Sequence, residues 1–394
     1  MSSVADRGAR ATELNPLSEV IRRELQVRGV ISFARFMDLA LYHLDHGYYQ
    51  TADKSIGKAG DYFTSVSVGK VLGQLLAFRF AEWLANGNST GSIIDSLRDS
   101  PPASVQLVEA GAHDGQLAAD IMNWLRQRRP QLFARIEYWI VEPSIIRQTR
   151  QKNFLRDFEP HVRWLPQLPQ NSDPNFAGFW GIIFSNELLD ALPVHRLGWD
   201  AAQRRWFEWG VAWETNRFVW MRMTNSGEDT CDSSFFPEVP SELAAVFPDG
   251  FTTEICPSAS QWWSVAAQCL RRGKLLTLDY GLTGEEFLSP KRGQGTLRAY
   301  FRHVLTADVL AYPGEQDLTA HVNFTELQKT GEAVGLTTDG LTSQSQFLTQ
   351  IAERAWQPNA QFGEWSAVEQ RQFQTLTHPE HLGRNFRVLV QTKK

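Results

Sequence analysis

In the stretch "SNELLD", Glu187 and Asp190 lie three residues apart, so in a helical turn both carboxylates face one side. Two carboxylates so placed can orient a cationic group and accept a proton from it. The same segment also reads as a plain helix start, with Asn186 as N-cap and the acids favoured by the helix dipole. Other chemistry-bearing residues recur in similar places. Gly111, Gly115, Glu142, Asn186, Asp279 and Tyr280 each follow an apolar run that reads as a strand. In open α/β sheets, ligands bind outside the carboxyl ends of the strands, near the point where the strand order reverses.

The stretch "LVEAGAHDGQLAADI", residues 107–121, is an apolar run, a glycine-containing turn and then a helical pattern. A dinucleotide fingerprint wants Gly at its first, third and sixth positions. Counted from Gly111 these are Gly111, His113 and Gln116, one match. An adenosylmethionine loop wants an acid, then Gly at alternate positions. Here Glu109 precedes, and the alternate positions are Gly111, His113 and Gly115, two matches of three. That cofactor has no pyrophosphate, so it needs close backbone approach more than a phosphate cradle. Glu142 ends the second strand, where a carboxylate can accept from both ribose hydroxyls. The bland alternative is a turn plus a solvated glutamate.

The elements that would position these residues follow an alternating grammar. "VQLVEAG", "IEYWIVEPS", "VRWL", "GFWGIIFSNELLDAL" and "KLLTLDYG" read as strands, and "QLAADIMNWLRQR", "IIRQTRQKNFL" and "SQWWSVAAQCLRRG" as helices between them. Alternation of this kind predicts an α/β fold with a doubly wound, Rossmann-like parallel sheet over residues 101–394. "FTELQKTGEAVGL" and "SQFLTQIAERAW" add helices, and "FRVLVQ" a closing strand. Residues 1–100 read as a helical N-terminal region that partly covers the core, with Asn15 and Pro16 opening a helix and a glycine-rich loop after the second helix. Two insertions are expected, an aromatic β-hairpin at about 196–257 and a loop segment at about 284–320.

Composition narrows the function. The net charge of -5, with no basic block, argues against a nucleic-acid face. Cys231, Cys256 and Cys269 form neither a disulfide framework nor a CxxC metal pair, as suits a reducing compartment. No His, Cys, Asp and Glu set has metal-ligand spacing, and there is no GxSxG elbow. No apolar run approaches the roughly 20 residues a membrane helix needs. The first residues lack a signal-peptide apolar core, and Asp6 and Glu13 are atypical of a transit peptide. The 14 Trp and 24 Phe call for large buried surfaces.

With these pieces in order, the chain resembles the MidA-type adenosylmethionine-dependent methyltransferases, whose mitochondrial members are protein arginine methyltransferases that assist assembly of respiratory complex I. The resemblance runs over nearly all of residues 30–390. It rests on "FARFMDLALYHLDHGYY", "GDYFTS", "LVEAGAHDG", "IVEPS", "NELLDALPVHR", "LDYG", "GTLRAYFRH", "DLTAHVNF" and "SQFL", in that order. It implies a class I methyltransferase core, S-adenosyl-L-methionine as cofactor and methyl transfer to an arginine of a protein substrate. It implies that "GDYFTS" folds over the cofactor, so Gly60, Asp61 and Thr64 join Glu109, Gly111, Gly115, Glu142 and Asn186 as cofactor residues. Glu187 and Asp190 are then expected to hold the target guanidinium, and Asp279, Tyr280, Asp317 and His321 to line the substrate side. His321 could shuttle a proton, since histidine titrates near neutrality, or simply be structural. His113 stands where the loop's middle glycine would be. The expected location is cytoplasmic, or the mitochondrial matrix in a eukaryote. Two other readings stay open: a non-catalytic assembly factor that binds a protein partner, and a small-molecule methyltransferase.

Overall fold

The computed structural model describes residues 15–50, 64–85, 104–169, 176–224, 230–301 and 304–394. Helix α1 (Pro16–Arg28) is capped by Asn15, whose side chain accepts from the Ser18 amide, and Pro16 occupies the first turn where a missing N–H costs nothing. The two-residue strand β1 (Ile31–Ser32) leads into α2 (Phe33–Tyr42), and α3 (Val71–Ala85) follows the 64–70 turn. Strands and helices then alternate through β2 (Val105–Ala110), α4 (Gln116–Arg128), α5 (Pro130–Phe133), β3 (Ile136–Val141), α6 (Ile145–Phe154), β4 (Val162–Leu165) and β5 (Phe179–Asn186).

An antiparallel excursion follows: β6 (His195–Asp200), β7 (Arg205–Glu214), β8 (Arg217–Arg222), α7 (Ser241–Ala244) and β9 (Thr252–Ile255). The chain returns through α8 (Pro257–Cys269) to β10 (Leu270–Leu282). A second excursion carries α9 (Gly284–Phe287), β11 (Arg298–Phe301), β12 (Val304–Thr306) and β13 (Asp317–Thr319). The remainder is β14 (Val322–Asn323), α10 (Phe324–Ala333), β15 (Thr337–Ser343), α11 (Gln344–Ala355), α12 (Ala367–Thr377) and β16 (Phe386–Lys393).

The main sheet runs β15-β16-β10-β5-β2-β3-β4, with β14 on β10. Its five strands from β10 to β4 are parallel, and β16 is antiparallel to both neighbours. The chain builds outward from β2 to β4, then crosses back to β5 on the other side of β2. The strand order therefore reverses between β2 and β5, the doubly wound pattern. One face packs α3, α4 and α11 through Leu75, Phe80, Ile121, Leu125 and Leu348. The other packs α8 and α10 through Trp263, Ala266, Phe324 and Leu327. Burying both faces makes the central strands nearly all apolar, as in "LLTL" of β10.

Three features differ from the expectation. The aromatic stretch after Arg196 is more than a hairpin, because β6, β7, β8 and β9 join β1 in a five-stranded antiparallel sheet. Alternating aromatic and polar residues reveal such strands but not their partner, which comes from the N-terminal region. That region is not one helical block either. Helices α1 and α2 share a core with Leu310 and Leu318 of the second excursion, whereas α3 packs on the main sheet. Finally, β10 begins at Leu270, so "LRR" belongs to a strand and not to the preceding helix.

Candidate active site

Strand register assembles the site. Ala110, the last residue of β2, pairs with Val141 on one side and Ser185 on the other. The next residues, Gly111, Glu142 and Asn186, therefore leave the sheet at one level. Outside them lies a cavity of about 670 Å³. Its walls are the 109–114 loop, Glu142, Arg147, Asn186 to Leu188, Gln261 and Trp262 of α8, and Tyr42, Tyr49, Thr64 and Ser67 from the N-terminal region.

The loop explains its own pattern. Gly111, His113 and Gly115 have φ of 77°, 48° and 91°, so all three alternate positions are left-handed. Glycine adopts that region freely, while another residue pays about 1–2 kcal/mol there. Histidine is among the residues enriched in it. A Cβ on Gly111 would also come within 3.0 Å of Leu188 Cδ1. The His113 carbonyl accepts from Gln151 Nε2 at 2.9 Å, and its ring lies in the cavity wall, with Nδ1 3.7 Å from Asp114. The middle position of the loop thus needs the conformation, not the missing side chain.

Two acids flank the loop. Glu109 is buried in β2, where Tyr138 donates to its carboxylate at 2.6 Å, and burial pushes its carboxyl up to about 7. Glu142 accepts from the Ser144 amide at 2.9 Å and from Gln151 Nε2 at 3.4 Å. Burial raises its carboxyl above the ordinary range, against the pull of Arg147.

Glu187 is the acid most exposed to chemistry. Its N–H donates to Leu278 at 3.0 Å, yet its φ of 52° turns the chain out of the sheet. Its carboxylate accepts from the Ser65 amide at 2.8 Å and from Asn186 Nδ2 at 3.1 Å. Burial pushes it up to about 8, with Asp279 adding to the rise. Asn186 is 8% exposed, and its Oδ1 has no hydrogen-bond partner among the described residues. A buried acceptor left open in a cavity wall is a place for a ligand donor.

The expected helical turn joining Glu187 and Asp190 is corrected. Asn186 closes a strand and caps no helix, and only Leu189–Ala191 forms a short 3-10 turn. The two carboxylates therefore share no helical face, although the charge of Glu187 still reaches Asp190. Glu187 lines the cavity and Asp190 does not. Asp190 is buried beside Asp279, and burial plus repulsion from Asp279 raises it well above the ordinary range.

The four residues expected on the substrate side are also outside the cavity wall. Asp279 is fully buried, accepting from the amides of Leu188, Leu189 and Tyr280. Tyr280 packs on Phe386, ring centres 4.0 Å apart. Asp317 is buried and accepts from the Tyr49 hydroxyl at 2.7 Å. His321 lies parallel to Tyr280, and burial with the nearby Arg298 and Arg292 lowers it to about 4. It is therefore neutral near pH 7, unlike a shuttle poised to titrate there. Thr64 does line the cavity, while Gly60 and Asp61 lie outside the described residues.

Several residues at or behind the cavity wall escape sequence reasoning. Ser65 sits next to Thr64 inside "GDYFTS", but its contribution is a backbone amide, which no side-chain pattern reports. Tyr42 and Tyr49 stand in "LYHLDHGYY", and Arg147 reaches the Tyr49 carbonyl at 2.9 Å and lies over the Tyr49 ring. Trp262 was legible only as part of an apolar helix. Among the described residues, no group of three His, Cys, Asp or Glu could hold a metal, and no helix is long and apolar enough to cross a membrane.

The residues present fit S-adenosyl-L-methionine. The left-handed loop brings backbone close, Glu142 offers a hydroxyl-binding carboxylate, Asn186 Oδ1 is an open acceptor, and the acids Glu109, Glu142 and Glu187 suit a cationic sulfur.

Known proteins agree. Residues 89–342 match the family described as "Putative S-adenosyl-L-methionine-dependent methyltransferase". The mitochondrial protein arginine methyltransferase NDUFAF7 of Mus musculus is 26% identical, over 83% of this chain and 72% of its own. The Drosophila melanogaster homologue is 25% identical, over 95% of this chain and 84% of its own. A crystal structure from Burkholderia thailandensis bound to S-adenosyl-homocysteine is 27% identical. It covers 96% of this chain and 92% of its own with a TM-score of 0.75.

Proposed function

The chain belongs to this family of S-adenosyl-L-methionine-dependent methyltransferases, and from that premise we propose that it methylates an arginine of a protein substrate, with Glu187 as the group that receives the guanidinium. The observation that carries the reading is the Glu187 carboxylate, held by the Ser65 amide and Asn186 Nδ2 in the wall of an acidic cavity at the sheet's switch point. The named relatives support arginine as the target.

When bound, S-adenosyl-L-methionine supplies a methyl group on a positively charged sulfur. The chain supplies holding and alignment. Gly111 and Gly115 let the loop backbone approach, Glu142 takes hydroxyls, and Asn186 Oδ1 accepts a donor. Glu187 does the acid–base work. Its raised carboxyl ionises as a guanidinium arrives, because an opposite charge favours the charged form. The carboxylate then orients the guanidinium through its planar fork. Glu187 would take the proton that the guanidinium nitrogen loses as the methyl group leaves sulfur for nitrogen, with S-adenosyl-homocysteine as the leaving group, and would later pass that proton to solvent. Asp279 lies nearby and adds to the negative field around this acid.

The test is incubation of the purified protein with methyl-labelled cofactor and cell lysate. Label is expected in protein. Label confined to small metabolites would replace arginine methylation with a small-molecule reaction, and absence of S-adenosyl-homocysteine binding would point to a non-catalytic partner protein.

A further inference from the structure

We propose that Asp279 is the positioning residue that sets the reach of Glu187, and that it acts through backbone without touching substrate. This rests on the reading of Glu187 given above.

The geometry is a grip on both sides of one residue. Ahead of the Glu187 side chain, its own N–H is tied to the Leu278 carbonyl at 3.0 Å. Beyond it, the next two amides, of Leu188 and Leu189, donate to Asp279 Oδ2 at 3.2 and 2.8 Å. The other Asp279 oxygen accepts from the Tyr280 amide at 2.8 Å, so both carboxylate oxygens hold main chain. Between these ties, Glu187 is held at φ 52°. A non-glycine residue keeps such a conformation only where its surroundings over-determine it. Asp279, fully buried and one residue beyond Leu278, supplies that constraint. The same grip fixes Leu188, whose Cδ1 lies 3.0 Å from where a Cβ on Gly111 would sit. One carboxylate therefore ties the acid to the cofactor loop. Asp190, whose side chain also bonds Asp279, is raised well above the ordinary range by burial and by Asp279, and burial pushes Asp279 itself up to about 7.

Two variants test this. Asp279→Asn keeps the size but loses the charge and one acceptor. Asp279→Glu keeps the charge but moves it off the two amides, and serves also if the first variant folds poorly. Hydrogen exchange, turnover and S-adenosyl-homocysteine binding are read on each. Hydrogen bonds to charged groups predict exchange at Leu188 and Leu189 faster by about tenfold or more, with kcat falling by a similar factor. KM for the protein acceptor and S-adenosyl-homocysteine affinity should stay within about threefold, since uniform binding is untouched. A rise in KM alone would mean that Asp279 contacts substrate, and unchanged kcat in Asp279→Glu would remove the positioning role. Parallel loss of cofactor-product affinity and cooperative unfolding would reduce Asp279 to a fold brace. If the wild-type protein transfers no methyl group, the proposed function fails, while the exchange data still judge the Asp279 grip.

Discussion

The backbone amide of Ser65 donates to the Glu187 carboxylate at 2.8 Å, joining positions 122 residues apart. One comes from the N-terminal region and the other from the end of β5. The proposed active centre is therefore completed by chain outside the α/β core. Both Asn186 and the Ser65 amide donate to the same Glu187 oxygen.

Glu187→Gln follows directly. The amide keeps an oxygen for Ser65 but can neither carry charge nor take a proton. Loss of a general base costs about 10²–10⁴ in rate. Steady-state kinetics should show kcat down by about a hundredfold or more. Calorimetry with S-adenosyl-homocysteine should show affinity nearly unchanged.

Glu187 also gives a pH signature of unusual sign. Its folded carboxyl lies at about 8, above the ordinary 4.5. Between those values the folded state binds more protons than the unfolded one, so stability falls as pH rises. Most carboxylates do the reverse. Thermal unfolding of wild type and Glu187→Gln at pH 5 and pH 8.5 should show the variant gaining relative to wild type at the higher pH. A constant difference would mean that the carboxyl is not raised.

The loop's conformation is testable at its middle position. His113 tolerates its left-handed φ of 48°, but a β-branched residue there is a true outlier. His113→Val should destabilise by at least about 1 kcal/mol. His113→Gly should fold and keep S-adenosyl-homocysteine affinity within about threefold, because glycine accepts that φ at no steric cost. Chemical denaturation and calorimetry separate the two.

Glu142→Ala should act on the cofactor alone. A hydrogen bond to a charged group is worth about 1.5–3 kcal/mol, so S-adenosyl-homocysteine binding should weaken by roughly tenfold or more. Gln151 bridges Glu142 and the His113 carbonyl, so Gln151→Ala should reproduce part of that loss.

The parallel strands were legible because strands buried on both faces are apolar and end abruptly in glycine or a polar residue, as at Gly111, Glu142 and Asn186. That is why the cavity wall could be read from strand ends. The pairing of Glu187 with Asp190 could not, because i,i+3 spacing means a shared face only in a helix, and Glu187 turns left-handed. Asp279 and Tyr280 read as a strand end, but β10 runs on to Leu282, and sequence does not say whether a carboxylate there faces a ligand or backbone amides. Tyr49 and Asp317, 268 positions apart, meet only through tertiary contact between the N-terminal region and the second excursion.

The most direct measurement is amino-acid analysis of an acid-hydrolysed protein acceptor after incubation with methyl-labelled S-adenosyl-L-methionine and either wild type or Glu187→Gln. Labelled methylarginine with wild type, and its near-complete loss with the variant, is the predicted result. Label in another amino acid, or equal methylarginine from both proteins, would contradict the account.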